Sequence, residues 1–283
     1  MASSLLYKTI LITGGTGLLG QAFIQALQES PYKILNPSRK ELDFTNRDQV
    51  QSYTAEHDFD LIIHCGAYTN VDMAESKKEL CERVNKEGIA NLVTLDKPLI
   101  SFSTDYVFDG KQKSYQENAS REPLNVYGKS KASAEEVLEQ HQADWWNIRT
   151  SWLYGNGGKN FVDTVVKKLK EQESIHVVDD QVGRLTNVDD LVSFVIDHFI
   201  EHRPMPGHYH AQGSGKAASW YQVVECIKSI MGAENEVHPI SSIDLNLPAL
   251  RPAHSILENT KLCHHLPDWE TSLHDYLKAR IDN

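Results

Sequence analysis

Tyr127 and Lys131 stand four residues apart, so on a helix their side chains share one face and can meet at a bound ligand. A phenol in that position can give a proton to an oxygen as hydride reaches the attached carbonyl carbon. An ordinary phenol, with a pKa of about 10, donates sluggishly at neutral pH, and a neighbouring ammonium corrects this by stabilising the phenolate. Lys131 is therefore expected to lower the pKa of Tyr127 and to hydrogen-bond the ribose of a nicotinamide nucleotide. The pair follows Ser103-Thr104-Asp105, where a hydroxyl at the carboxyl end of a strand would face the ligand edge of a parallel sheet. Thr104 is expected to hold the substrate oxygen, which completes a candidate catalytic set of Thr104, Tyr127 and Lys131.

A hydride source needs its own site. Gly14, Gly17 and Gly20 recur at intervals of three, directly after an apolar run and at the opening of an amphipathic stretch. Glycines there let the backbone turn tightly and approach a pyrophosphate, whose charge sits at the positive end of the following helix. A site for NAD presents Asp or Glu to the ribose after the second strand, but this chain reads Asn36-Pro37-Ser38-Arg39-Lys40. Arg39 can pair with a 2′-phosphate, so NADPH is the expected cofactor and NADH the alternative.

The elements that must position these residues follow a βαβ rhythm. β-branched apolar runs at 7–13, 33–36, 60–65, 99–103 and 146–151 read as strands, and helical patterns fall at 18–29, 80–96 and 126–141. Such alternation predicts an α/β fold, a Rossmann-like doubly wound parallel sheet with a smaller interleaved α/β substrate-binding lobe. Residues 1–152, with a returning segment at about 182–203, are assigned to the nucleotide-binding domain, and 153–181 and 204–283 to the lobe. Within the second half, helices are expected near 160–172, 188–202 and 269–281, with a short strand at 175–178.

Composition excludes several classes. The net charge of −11 makes nucleic acid an unexpected partner, and any polyphosphate must be held by local donors against the overall field. No stretch approaches the roughly 20 apolar residues of a membrane helix, and the N-terminal run lacks a basic leader, so no membrane partner is expected. Four cysteines without a CxxC pair suit a reducing cytoplasm. His198-Phe199-Ile200-Glu201-His202 has the HxxEH spacing of an inverted zinc protease motif. Pro204 closes that helix, its histidines suit the negative dipole end, and no metal is expected.

Together these motifs resemble the dTDP-4-dehydrorhamnose reductase family of extended short-chain dehydrogenase/reductases, through almost the whole chain. The matching stretches include Thr13-Gly14-Gly15-Thr16-Gly17-Leu18-Leu19-Gly20, Gly66-Ala67-Tyr68-Thr69-Asn70-Val71-Asp72 and Ser103-Thr104-Asp105-Tyr106-Val107-Phe108. Further matches are Tyr127-Gly128-Lys129-Ser130-Lys131, Arg149-Thr150-Ser151-Trp152-Leu153-Tyr154-Gly155, Asp180-Gln181-Val182-Gly183 and Arg251-Pro252. The resemblance implies NADPH-dependent reduction of the 4-keto group of dTDP-6-deoxy-L-lyxo-4-hexulose to dTDP-L-rhamnose. It implies cofactor contacts at Gly14, Gly17, Leu18, Leu19, Arg39, Tyr127 and Lys131, with Ala67 and Tyr68 at the nicotinamide and Asp43 and Phe44 near the adenine. It implies substrate contacts at Thr104, Asp105, Tyr106, Trp152, Asn160 and Arg251. Three positions depart from the usual pattern: Gly66 for alanine, Leu185 for proline and His254 for asparagine. No acidic cluster that would join a dimer through magnesium is identified, and a homodimer is the assembly considered.

Two other readings share this scaffold. A non-catalytic relative such as the regulatory subunit of methionine adenosyltransferase would need neither a proton donor nor a lysine beside it. A nucleotide-sugar epimerase or dehydratase would recycle NAD without net oxidation, and a dehydratase needs an extra acid and base. No glutamate follows Asp105, so Asp105 is expected to orient the loop.

Overall fold

The computed structural model describes residues 6–171 and 174–281. The first five residues of the N-terminal run, and residue 172 of the helix expected to end there, lie outside them. The chain opens with strand β1 (Thr9–Thr13), helix α1 (Leu18–Leu27), strand β2 (Lys33–Leu35), helix α2 (Arg47–Glu56) and strand β3 (Leu61–His64). Short helices α3 (Val71–Ser76) and α4 (Lys78–Glu82) lead through a π turn (Arg83–Glu87) to α5 (Gly88–Val93) and strand β4 (Leu99–Thr104). Helix α6 (Val126–Leu138) and strand β5 (Trp145–Thr150) follow.

Six parallel strands form the main sheet, the sixth being β10 (Gly207–His210), in the order β10-β5-β4-β3-β1-β2. The strand order reverses between β1 and β3, which opens a crevice at their carboxyl ends. Helices cover both faces, so the inner strands read as continuous apolar runs such as Leu61–His64, buried at every position. On one face Phe23 and Leu27 of α1 pack with Leu191, Val192 and Val195 against Ile10, Ile12, Ile63 and Ile100. On the other, Leu11, Ile62 and Leu99 meet Val50 of α2, Ile89 and Leu92 of α5, and Leu138 of α6. Each such side chain contributes about 1.5–3 kcal/mol by burial.

The second core is separate. It is built from β6 (Leu153–Tyr154), α7 (Phe161–Lys170), β7 (Ile175–Val178), β8 (Val182–Gly183) and β9 (Thr186–Asn187), before α8 (Val188–Val195) returns to the main sheet. After β10 the lobe resumes with β11 (Ala218–Ser219), α9 (Trp220–Met231), β12 (Val237–Ile240) and α10 (Trp269–Ile281). Val165, Leu169, Val223, Ile227, Leu273 and Leu277 fill its interior.

The expected boundaries need correction at two places. The lobe was expected to resume at 204, yet Gly207–His210 pairs in parallel with β5 as an edge strand of the main sheet. The returning segment was expected from about 182, yet β8 pairs with β11 and Leu185 lies in the lobe core. Segments of two to four residues carry too little periodicity to show which sheet they join. Helix α2 was missed because Val50 is its single buried residue, and the helix read at 80–96 is interrupted by the π turn. Among the described residues no helix is long and apolar enough to cross a membrane.

Candidate active site

The turn after β1 is shaped by close backbone approach. Gly14 holds φ of +76°, and a β-carbon there would lie 2.4 Å from the Gly66 nitrogen. A side chain is thus excluded by conformation and by space. The Gly17 N–H donates to the Gly14 carbonyl at 3.0 Å, and Gly17 caps α1. Above this turn lies a cavity of about 440 Å³ whose walls include Gly14, Gly17, Arg39, Asp43, Phe44, Ala67 and Tyr68. Seven residues expected at the cofactor from separate parts of the sequence therefore meet in one cavity at the sheet's switch point. A bare glycine floor, the α1 N-terminus and a cation at the far wall fit a dinucleotide phosphate.

Leu18 and Leu19, expected at the cofactor, lie in the first turn of α1 and are not among the residues that line this cavity. The Leu19 side chain is buried in the main core, with Leu18 packed against it. Arg39 is 74% exposed in its side chain and lies 3.3 Å from the Asp43 carboxylate. Burial works against ionisation of Asp43, but hydrogen bonds from Thr45 and the Arg39 guanidinium hold its carboxyl below the ordinary value.

The candidate reacting groups come from β4 and α6. Thr104 ends β4, opposite Thr150 of β5, and its hydroxyl donates to Asp105 Oδ1 at 3.0 Å. Tyr127 sits in the first turn of α6, which Asn125 caps by accepting from the Gly128 N–H at 2.8 Å. Asn125 also donates to the Leu250 carbonyl at 2.7 Å, so this cap ties the helix to the segment before Arg251. Burial raises the Tyr127 pKa, opposed by a hydrogen bond with Thr104 and reinforced by the Asp105 charge.

Lys131 departs from the expected arrangement. Its Nζ donates to the Phe102 carbonyl at 2.6 Å, and burial pushes its pKa down to about 8 against the raising influence of Glu135. Tyr127 thus keeps a raised pKa where the sequence predicted a lowered one, because burial of the phenol outweighs its neighbours. Asp105 is also buried, with Oδ2 lacking a hydrogen-bond partner. Burial pushes its carboxyl up to about 6, opposed by hydrogen bonds with Ser255 and Thr104.

Several residues that support this geometry were not singled out in the sequence. Asn85, in the π turn, accepts from the Tyr68 N–H at 2.8 Å, donates to the Tyr68 carbonyl at 3.1 Å and donates to Ser130 Oγ at 2.9 Å. It joins the cavity wall to the turn of α6 between Tyr127 and Lys131. Glu135, one turn beyond Lys131, receives Arg149 Nε at 2.9 Å and Nη2 at 2.7 Å. Burial opposes ionisation of Glu135, but the Arg149 hydrogen bonds and charge bring its pKa down to about 2. A buried Asn in a charged helix and an arginine within an apolar strand were the available signals.

The residues expected at the substrate separate into two groups. Tyr106 meets Tyr127 edge-on with ring centroids 5.8 Å apart and neighbours Arg251. Arg251 grips Asp72 through both carboxylate oxygens, at 3.0 and 2.6 Å. Trp152, with φ of +49°, stacks on Trp220 at 3.6 Å in the lobe. Asn160 caps α7 by accepting from the Asp163 N–H at 2.9 Å, and its amide donates to the Gly155 carbonyl at 3.0 Å and to Asp163 Oδ2 at 2.8 Å. Its polar atoms therefore already serve the fold.

The HxxEH stretch brings exposed Glu201 and His202 together with Asp197, and His198 stands outside that group. His198 Nδ1 bonds the Phe194 carbonyl at 3.0 Å and His202 Nδ1 the Asp197 carbonyl at 2.6 Å. Of the three departures, Leu185 is buried in the lobe core, the His254 N–H donates to the Gly110 carbonyl, and Gly66 lies in the cavity wall.

Known proteins match this arrangement over its full extent. The family described as RmlD substrate binding domain matches residues 8–281. A dTDP-4-dehydrorhamnose reductase of Aggregatibacter actinomycetemcomitans is 34% identical over 93% of this chain and 96% of its own length. The spore coat polysaccharide biosynthesis protein SpsK of Bacillus subtilis (strain 168) is 31% identical over 96% of this chain and 97% of its own. The crystal structure of dTDP-4-dehydrorhamnose reductase from Bacillus anthracis str. Ames in complex with NADP superposes with a TM-score of 0.92 at 35% identity, covering 97% of this chain and 100% of that one. By sequence and fold alike, this chain belongs to the dTDP-4-dehydrorhamnose reductase family.

Proposed function

We propose that this protein uses NADPH to reduce the 4-keto group of dTDP-6-deoxy-L-lyxo-4-hexulose, giving dTDP-L-rhamnose. The observation that supports this reading is Thr104 at the carboxyl end of β4 with Tyr127 and Lys131 on successive turns of α6 packed against that strand, Tyr127 hydrogen-bonded with Thr104, and the glycine-floored cavity at the carboxyl ends of the neighbouring strands. The NADP-bound relative supports the cofactor, and the names of the relatives support the substrate.

When bound, the nicotinamide supplies the hydride. Gly14 and Gly17 bring backbone against the pyrophosphate, and the α1 N-terminus balances its charge. Arg39 meets the 2′-phosphate. Thr104 would turn its hydroxyl from Asp105 to the keto oxygen, and Tyr127, protonated at neutral pH, gives that oxygen a proton as charge develops. Lys131, one turn beyond Tyr127 on α6 and with its pKa pushed down to about 8, supplies a positive charge close to the site. Arg251, whose fork Asp72 holds in this structure, would meet the substrate diphosphate by exchanging that partner, and the lobe of α7, α9 and α10 takes the nucleotide sugar.

Loss of NADPH absorbance on adding the keto sugar, made in place from dTDP-glucose by the two preceding enzymes, tests this directly. Stoichiometric oxidation with dTDP-L-rhamnose as product is expected. Conversion of a nucleotide sugar without net NADPH consumption would replace reduction with epimerisation or dehydration.

A further inference from the structure

Gly66 and Gly88 are glycines whose backbones do not require glycine. Neither is among the positive-φ glycines, and Gly88 opens α5 with ordinary helical angles of −57° and −47°. At a helical position glycine costs about 1 kcal/mol relative to alanine, so Gly88 needs another explanation. The ring of Phe44 supplies it for both residues. A β-carbon on Gly66 would lie 2.5 Å from Phe44 Cε1 and 2.7 Å from Cζ, and one on Gly88 would lie 2.7 Å from Cδ2 and 2.9 Å from Cε2.

The ring is held on further sides. His64 meets it edge-on with centroids 4.8 Å apart, and Asn91 donates to the Phe44 carbonyl at 3.0 Å. Gly66 in turn lies under the glycine-rich turn, since the missing β-carbon of Gly14 would strike its nitrogen. Gly14, Gly66, Phe44 and Gly88 therefore form one continuous stack, and the first three line the dinucleotide cavity. An interior packed this closely cannot absorb an added methyl without moving the ring. Phe44 lines the cavity, so a displaced ring can move into it.

We propose that Gly66 and Gly88 form a slot that seats Phe44, and that filling this slot sets how tightly the cavity holds its dinucleotide. The proposal rests on the reading of that cavity as the NADP site. Gly66, one of the departures from the family pattern, is then the counterpart of a large ring at position 44.

The test is a pair of double-mutant cycles on the full chain, one read by NADP⁺ titration calorimetry and one by thermal melting without nucleotide. Gly66→Ala should weaken NADP⁺ at least about tenfold, in line with overpacking penalties. Phe44→Ala/Gly66→Ala should bind no more weakly than Phe44→Ala, because the added methyl then meets no ring. Gly88→Ala should lower the melting temperature by roughly 3–8 °C with Phe44 present, and should be neutral or raise it in the Phe44→Ala background. Where Phe44→Ala does not fold, Phe44→Leu gives the same comparisons. Additive effects in both cycles, or a Gly66→Ala protein binding NADP⁺ within threefold of the parent, would overturn the proposal. A parent chain that binds no NADP⁺ would overturn the cofactor reading and the affinity claim with it, while the melting cycle still decides the packing of Phe44 between the glycines.

Discussion

The ammonium of Lys131 donates to the main-chain carbonyl of Phe102, two residues before Thr104 on the same strand. The lysine thus ties α6 to β4, and its burial leaves a base with a pKa near 8 rather than a permanently charged group. Tyr127, on the same helix face, is pushed the other way.

These opposite directions make the pH dependence specific. As pH rises through about 8, Lys131 loses its proton while Tyr127 keeps its own. Turnover with NADPH should fall along that limb. Lys131→Met should remove the limb and lower kcat at least about a hundredfold. A wild-type pH–rate profile flat to pH 10 would exclude this role.

Tyr127→Phe should also lower kcat at least about a hundredfold, the ordinary scale of general-acid catalysis. Single-turnover kinetics separate the chemical step from binding. Undiminished turnover by this variant would mean that another group protonates the product oxygen.

Asp105 predicts a stability effect with a definite sign. Its carboxyl is pushed up to about 6 from the ordinary 3.8, so burial favours the protonated acid. That contribution is fully present below the unfolded pKa and is lost as pH rises through the folded one. The stability of Asp105→Asn relative to wild type should therefore improve by on the order of 2–3 kcal/mol between about pH 3.5 and pH 8. Urea unfolding at the two pH values measures it, and a pH-independent difference would refute it.

Arg251 and Asp72 form a bidentate pair with side-chain exposures of 17% and 31%. Breaking this partly buried, charge-assisted pair should cost about 1–3 kcal/mol. Arg251→Ala should raise the KM for the dTDP sugar at least about tenfold while leaving the NADP⁺ dissociation constant unchanged. Equal weakening of both ligands would point to a general disturbance of the site.

The Glu135–Arg149 pair is the opposite case, with both side chains almost fully buried. Removing either partner strands a charge and should destabilise the fold by about 3–5 kcal/mol. Glu135→Leu/Arg149→Leu should cost less than the single Arg149→Ala, and denaturant titration of the set decides between a buried pair and a screened one.

Much of the site was legible because its chemistry depends on short spacings at element boundaries. Gly14 and Gly17 announce a turn between a strand and a helix, and Tyr127 and Lys131 announce one helix face. Asn85 was hidden because its importance comes from Tyr68 and Ser130, far away in the chain. Gly207–His210 was hidden because its partner strand is Trp145–Thr150, and a short segment with two histidines gives no sign of which edge it will extend.

By itself the sequence determined the five strands of the first half, the helices α1 and α6, the glycine turn, the missing carboxylate after β2, and the helix face of Tyr127 and Lys131. Each is a local property, set by backbone sterics or by the period of a single element. Tertiary structure decided what surrounds those groups. It gave Lys131 to the Phe102 carbonyl, Arg251 to Asp72 and Asn160 to the cap of α7, and it raised the pKa of Tyr127 and Asp105 by burying them. Desolvation and hydrogen-bond partnership depend on atoms brought in from distant elements, and those distances exist only once the chain has folded.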